Sequence, residues 1–372
     1  MKKEILFIIP TMRGAGAEKA LLNILNRFDS EKYNVSLLLF NNKGELYDAI
    51  PSNIKKYHLY SKNKPLFLLI ENRFTRNLFW RLRSLTLNPF KKFDAVISFL
   101  EGEALLAHNL LLNRRNKDIT WVHTNLITNH WTKNVFKDYR KELGAYKKMD
   151  EIIFVSNDAQ RAFNELFETD IESKVIYNII DRDDIIEKAK EECPIKRGSK
   201  FVISNVGRLT KQKRQDRLIE AIAILNHKYG VDAECWILGQ GELEDRLKQH
   251  AKDLNIEDKI KFLGFQANPY SFVKESDIFM LSSDTEGYPL VVCEALCLGK
   301  PIVSTNITGP NEILTDGGGI LTELSAESLA EAANNLLTDP ELLKKKQTEA
   351  TMKSQSFSSE EIMNQIYSLF YL

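Results

Sequence analysis

Residues Asp284 to Pro301 read DTEGYPLVVCEALCLGKP, and this stretch decides the fold. It follows an apolar run, Ile278-Phe279-Met280-Leu281, that ends in Ser282-Ser283. A short apolar run bounded by small polar residues predicts a buried parallel strand. Gly287 breaks the pattern, and Pro289 suits the first position of a helix, where no backbone N–H is needed. Leu290 to Leu298 keeps helical spacing, and Gly299 is placed as a C-terminal stop. A new strand follows at Pro301 to Thr305. Strand, tight loop, helix and strand predict an α/β fold.

Two carboxylates lie on this turn. At about 100° per residue, positions eight apart do not share one helix face. Glu286 precedes the helix, however, and projects from the loop, whereas Glu294 projects from the second turn. The free N–H groups of the helix start, Gly287, Tyr288 and Leu290 with Pro289 among them, lie between the two. A helix start attracts anions, and carboxylates beside it accept hydrogen bonds from hydroxyls. The chemistry suggested is a ligand carrying both phosphate and sugar. A plain loop glutamate and a solvated helix glutamate fit the same pattern, so both readings stand at this point.

With 372 residues the chain exceeds one ordinary core, and two domains are expected. Lys plus Arg equals Asp plus Glu at 51 each, so bulk charge gives no argument for a nucleic-acid partner. The four cysteines, Cys193, Cys235, Cys293 and Cys297, form no CxxC, and a reducing cytoplasm is expected. The apolar start after Met1 is interrupted by Glu4 and stopped by Pro10, which predicts a first strand rather than a signal peptide.

In chain order, Ile5 to Ile9 predicts a strand, Thr11 to Glu18 a small-residue loop, and Leu21 to Leu25 the start of a helix. The loop lacks a complete GxGxxG, which argues against a dinucleotide site. Small residues there would let a ligand approach the backbone; a plain strand-to-helix turn would need them as well. Further strands are expected at Val35–Phe40, Ala95–Leu100, Ile119–His123, Ile152–Ser156 and Lys174–Tyr177. His123 ends one of them, and the C-terminal ends of parallel strands are where open α/β sheets bind ligands. A second series opens at Phe201–Val206, with Arg208 and Lys213 on the loop that follows. Cations placed there would face a diphosphate, although Lys211 and Arg214 make the loop basic in any case.

Between Lys62 and Lys92 basic residues interleave with apolar ones, among them Arg73, Arg76, Phe79, Trp80, Arg81 and Arg83. A basic amphipathic helix of this kind suits an anionic membrane surface, with Phe79 and Trp80 adding apolar burial. A helix that covers the sheet with one face and meets water with the other fits too.

Taken together, the motifs resemble the retaining glycosyltransferases of GT-B architecture in the large family numbered four. The resemblance spans nearly the whole chain. It rests on Gly16-Ala17-Glu18, Trp121-Val122-His123, Gly207-Arg208-Leu209 with Lys213, and Gly239-x-Gly241. Above all it rests on Glu286-Gly287-Tyr288-Pro289 with Glu294, then Gly299-Lys300-Pro301 and Gly309-Pro310. Arg214 departs from the family pattern, since a glycine often follows the lysine, and Ala15 stands where a glycine is frequent.

The resemblance implies two Rossmann-like domains with parallel sheets facing a central cleft. Residues 1–180 would form the acceptor-side domain, 181–199 a linker, 200–352 the nucleotide-sugar domain, and 353–372 a helix returning to the first domain. It implies a metal-independent hexosyltransferase, with no cofactor because the nucleotide sugar is a substrate. Arg208 and Lys213 would hold the diphosphate, Glu294 the ribose, and Glu286 with Gly287 to Leu290 the donor sugar. His123 and Gly16 would come from the first domain, near sugar and acceptor. The expected partners are a UDP-sugar and a glycan or polyprenyl-diphosphate-linked acceptor at the cytoplasmic membrane face, in bacterial envelope-polysaccharide synthesis. The alternatives are a non-catalytic subunit of the same fold supporting a partner transferase, or a nucleotide-sugar epimerase.

Overall fold

The computed structural model describes residues 1–60, 73–83, 92–112 and 115–370. They fall into two units, Met1–Ile179 with Glu360–Leu372, and Ile180–Ser359. Both units are α/β, and every strand pair described is parallel.

The first unit holds β1 (Lys3–Ile9), β2 (Tyr33–Leu39), β3 (Lys55–His58), β4 (Phe93–Ser98), β5 (Arg115–Val122), β6 (Glu151–Phe154) and β7 (Glu172–Val175). Their spatial order is β3-β2-β1-β4-β5-β6-β7. Ile5 pairs with Val35 on one side and Ala95 on the other, so β1 is central. Helices cover both faces of such a sheet, which is why Ile5 to Ile9 is an unbroken apolar run and fully buried. The chain then enters the helix Gly16–Leu25, whose start is closed by Glu18 turning back to accept the Ala15 N–H at 2.8 Å.

Most of the basic stretch 62–92 lies outside the described residues. Within it, the helix Arg73–Arg83 turns Trp80 into the core, against the Phe40 ring at 4.7 Å and hydrogen-bonded to the Tyr60 hydroxyl. Phe79 stacks on Tyr60 at 5.6 Å. The two aromatics expected to reach a bilayer are thus occupied in packing, because a helix beside the sheet buries its aromatic face first. Leu78 and Leu82 remain exposed, at 47% and 57%. Among the described residues no helix is long and apolar enough to cross a membrane.

The helix Ser359–Ser368 belongs to the first unit. Tyr367 stacks on Tyr33 at 5.1 Å, donates its hydroxyl to the Arg27 carbonyl at 2.9 Å and accepts the Asp29 N–H at 3.0 Å.

The second unit holds β8 (Phe201–Val206), β9 (Ala233–Leu238), β10 (Ile260–Phe262), β11 (Ile278–Leu281), β12 (Ile302–Thr305) and β13 (Gly319–Thr322), in the order β10-β9-β8-β11-β12-β13. Residues 181–199, read from sequence as a polar linker, pack onto this unit. Asp181 caps the helix Arg182–Lys188, and the buried Glu234 accepts the Gly198 N–H at 2.9 Å and the Trp236 indole N–H at 2.8 Å. A buried carboxylate needs such donors, and the segment supplies one of them.

Candidate active site

In each sheet the strand order reverses at one point, between β1 and β4 in the first unit and between β8 and β11 in the second. Chains leaving the carboxyl ends of two such strands run to opposite faces and leave a crevice for ligands. The residues singled out from sequence fall at these two points or on the strand beside them.

In the second unit the loops after β8 and β11 are laced together. The Asp284 N–H donates to the Gln212 carbonyl at 2.9 Å, and Gln212 Nε2 donates to the Thr285 carbonyl at 2.7 Å. Ser282 Oγ donates to the Lys213 carbonyl at 3.0 Å. Lys213 Nζ reaches Glu286 Oε1 at 2.5 Å, and the same oxygen accepts the Ser283 hydroxyl at 2.6 Å. The loop is held from its other side by Thr308 Oγ1, 3.0 Å from the Glu286 carbonyl, and by Gly309. A Cβ at Gly309 would stand 2.7 Å from both the Gly287 oxygen and Pro289 Cδ, so a glycine is required for that approach. Gly239 and Gly241 do the same for the β8 loop, where a Cβ would come within 1.9 Å of the Gly207 oxygen and 2.2 Å of the Leu209 oxygen.

Glu286 is 8% exposed and Glu294 6% exposed, which removes the reading of Glu294 as a solvated helix residue. Glu294 lies in the second turn of the helix Leu290–Cys297, with Pro289 as its N-cap. Leu290 is buried, and Gly287 and Tyr288 are half-buried. Gly299 has φ +67°, the left-handed stop expected from sequence. Cys293 and Cys297 are core residues, and burial pushes the Cys293 thiol pKa far up.

Arg208 is exposed, and among the described residues no carboxylate pairs with it. Two neighbouring arginines are engaged. Arg217 is only 5% exposed, donating to the Ser282 carbonyl at 2.8 Å and to Asp284 at 2.7 Å. Arg214 holds Asp216 at 3.0 Å and Asp284 at 3.3 Å. Arg214 also has φ 50° and ψ 45°, the left-handed region. A glycine would sit there without strain; the arginine is held by its two carboxylates. Sequence reading passed over Arg217 and Ser283. An arginine near a helix start and a serine at a strand end look ordinary, and only burial and long-range contacts single them out.

In the first unit His123 directly follows β5, and Gly16 opens the helix after β1. A Cβ at Gly16 would meet nothing within 4 Å, so packing does not demand glycine there. The His123 ring meets the Phe99 ring edge-on at 4.9 Å. Burial lowers its pKa to about 3, with the Phe99 backbone carbonyl pulling weakly the other way. The imidazole is therefore neutral at physiological pH. Its Nε2 is buried and has no partner among the described residues. With a ring N–H directed to Phe99, Nε2 carries a bare lone pair able to accept a hydroxyl hydrogen bond.

No group of three or more His, Cys, Asp or Glu side chains that could hold a metal ion occurs among the described residues. The arrangement offers cations, helix-start N–H groups and buried carboxylates in one unit, and a neutral hydrogen-bond acceptor in the other.

Residues 186–353 match the family described as Glycosyl transferases group 1, and residues 14–184 match Glycosyltransferase Family 4. A Haemophilus influenzae protein named only as an uncharacterized glycosyltransferase is 28% identical over 98% of this chain and 99% of its own. An Escherichia coli UDP-Gal:alpha-D-GlcNAc-diphosphoundecaprenol alpha-1,3-galactosyltransferase is 26% identical over 84% of this chain and 81% of its own. Among solved structures, Anabaena Alr3699/HepE in complex with UDP and glucose superposes with a TM-score of 0.78, at 22% identity over 98% of both chains. That last likeness speaks for the fold.

Proposed function

This chain belongs to the family-4-type glycosyltransferases of GT-B fold, and from that premise we propose that it moves a sugar from a UDP-sugar to a hydroxyl of a glycan or lipid-linked acceptor. The observation that carries the reading is the ion pair of Lys213 with the buried Glu286, which joins the loops after β8 and β11 at the switch point, with the exposed Arg208 on the first of those loops.

In the reaction the bond between the anomeric carbon and the diphosphate oxygen breaks, and a bond from that carbon to the acceptor oxygen forms. The acceptor proton passes to the departing phosphate, and the anomeric configuration is retained. Negative charge grows on the diphosphate and positive character on the sugar. Arg208, Lys213 and the N–H groups at Gly287 to Leu290 oppose the first; Glu286 opposes the second. Glu294 takes the ribose hydroxyls, and His123 Nε2 accepts from a sugar hydroxyl. Two cations placed in advance do the work a divalent metal does elsewhere, so the enzyme needs none.

The Escherichia coli relative, named for a diphosphoundecaprenol acceptor and a UDP donor, supports a UDP-sugar and a polyprenyl-diphosphate-linked acceptor, in bacterial envelope-polysaccharide synthesis. An acceptor of that kind places the enzyme at the cytoplasmic membrane face. The exposed Leu78 and Leu82, with the basic residues of 62–92, would meet the anionic surface there.

The test is a panel of UDP-, GDP- and ADP-sugars with polyprenyl-diphosphate saccharides, read by mass and by NMR of the new anomeric centre. Transfer from a UDP-sugar with retention, undiminished by EDTA and reduced about 10²-fold in Arg208→Ala and Lys213→Ala, is expected. Inversion, dependence on added metal, or release of an isomerised nucleotide sugar without an adduct would each overturn the corresponding part. Failure to sediment with anionic vesicles at low salt would remove the membrane contact.

A further inference from the structure

The loop that follows β5 is governed by one side chain from the turn after β4. Glu101 lies just beyond β4 and is 0% exposed. Its Oε2 accepts the His123 backbone N–H at 2.9 Å, and its Oε1 accepts the Trp131 indole N–H at 3.1 Å. The Thr124 side chain adds a further hydrogen bond. One carboxylate therefore closes the loop from His123 to Trp131 at both ends. Gly102 makes room for this, with φ +74° and a would-be Cβ only 2.5 Å from the Trp131 ring. Within the loop Asn125 Oδ1 accepts the N–H groups of Ile127 and Thr128, each at 3.1 Å.

No cation pairs with Glu101 among the described residues. Burial pushes its carboxyl up, and the donors from Thr124, His123 and Trp131 oppose that. A buried carboxylate with no counter-ion is a costly way to hold a loop. An apolar pair of the same shape commonly stabilises a fold as well or better. What the carboxylate adds is geometric. It accepts at both ends at once and fixes the backbone from which the His123 ring projects.

We propose that Glu101 is a positioning residue for the transfer reaction, holding the His123 backbone at the end of β5 so that Nε2 meets a substrate hydroxyl. This rests on the reading that His123 touches substrate. A displacement of about 1 Å at such a group costs up to about 10²-fold in rate. Glu101→Gln keeps size and shape, but its amide has one oxygen for two N–H donors, so the Trp131 or the His123 contact is lost.

The experiment is a double-mutant cycle on the full chain: wild type, Glu101→Gln, His123→Ala and the pair. Turnover is read with the UDP-sugar that the donor panel selects. The His123 amide and ring signals are followed by NMR of protein labelled with ¹⁵N-histidine, and UDP affinity by calorimetry serves as the folding control. The expected result is a tenfold to hundredfold loss of kcat in Glu101→Gln (roughly, from the displacement cost above), donor KM and UDP affinity unchanged, and shifted His123 signals. The pair should be no slower than the worse single variant. Unmoved His123 signals, or a loss that multiplies in full with that of His123→Ala, overturns the proposal. Wild-type turnover in His123→Ala overturns the underlying reading of His123 instead, and is recognised by that variant alone. If Glu101→Gln does not fold, Glu101→Asp retracts the same charge by one methylene and must show the same non-additivity.

Discussion

Lys213 Nζ and Glu286 Oε1 are 2.5 Å apart, and their side chains are 22% and 9% exposed. The cation assigned to the diphosphate and the carboxylate assigned to the sugar are thus one ion pair. Glu286 Oε1 also accepts the Ser283 hydroxyl at 2.6 Å. On the proposed reading a diphosphate at Lys213 would meet the Glu286 charge, so removing that charge should act on binding and on rate in opposite directions.

Glu286→Gln should therefore bind UDP more tightly while turning over more slowly. Removing a like charge about 6 Å from a phosphate is worth roughly 0.7 kcal/mol at the dielectric of water and about 2.8 kcal/mol at an effective value near 20, so about threefold or more in affinity. Loss of the carboxylate at the sugar should lower kcat about 10²-fold. Calorimetry with UDP and steady-state rates separate the two; weaker UDP binding in the variant would show that Glu286 does not compete for Lys213.

Gly16→Ala and Gly309→Ala should behave differently although both are loop glycines. The added methyl at residue 309 runs into the Gly287 oxygen and Pro289, each 2.7 Å away, and must push the donor loop aside. A stability loss of about 1–3 kcal/mol with a raised donor KM is expected. At residue 16 the methyl meets nothing within 4 Å, so the melting temperature should hold. A fall in turnover there without a fall in stability would mark a ligand packing on Gly16; unchanged turnover would remove it from the site.

Arg214 is held in the left-handed region by Asp216 and Asp284. Arg214→Gly relieves about 1–2 kcal/mol of backbone strain and loses ion pairs worth about 0–1 kcal/mol. Arg214→Ala loses the pairs and keeps the strain. Thermal unfolding should place the glycine variant at or above wild type and the alanine variant below it. The reverse order would mean that the carboxylate contacts dominate this turn.

Two buried histidines make the fold acid-sensitive. Burial lowers the pKa of His123 to about 3 and also lowers that of His108, against the pull of the Asp118 carboxylate. Their folded values lie below the unfolded one of about 6.5, so the unfolded chain takes up protons first as pH falls. The His123 contribution is complete above about pH 6.5 and is lost as pH falls toward 3, by up to roughly 1.4 kcal/mol per unit, and His108 acts in the same direction. Glu101, raised by burial, acts in the opposite sense but equally in wild type and in His123→Asn. Urea midpoints between about pH 6.5 and 4.5 should fall less steeply in His123→Asn; parallel slopes would mean that His123 is protonated in the folded protein.

The central strands β1 and β11 were legible because Ile5–Ile9 and Ile278–Leu281, covered on both faces, are unbroken apolar runs. The edge strands β3 and β13 were not. Lys55–His58 reads KKYH, half exposed at the sheet margin, and its strand form comes from pairing with β2 rather than from its own residues. The same division runs through the site. Arg208, Lys213, Glu286 and Glu294 were candidates from residue type and position alone, and the role expected of each came from the resemblance. That Lys213 and Glu286 are one ion pair, across 73 positions of sequence, could not be read there. Nor could the seating of His123 by Glu101, 22 positions away. Local periodicity reports which face of an element is buried; a hydrogen bond between distant loops exists only once strand order has brought the β8 loop beside the β11 loop, and the β4 loop beside β5.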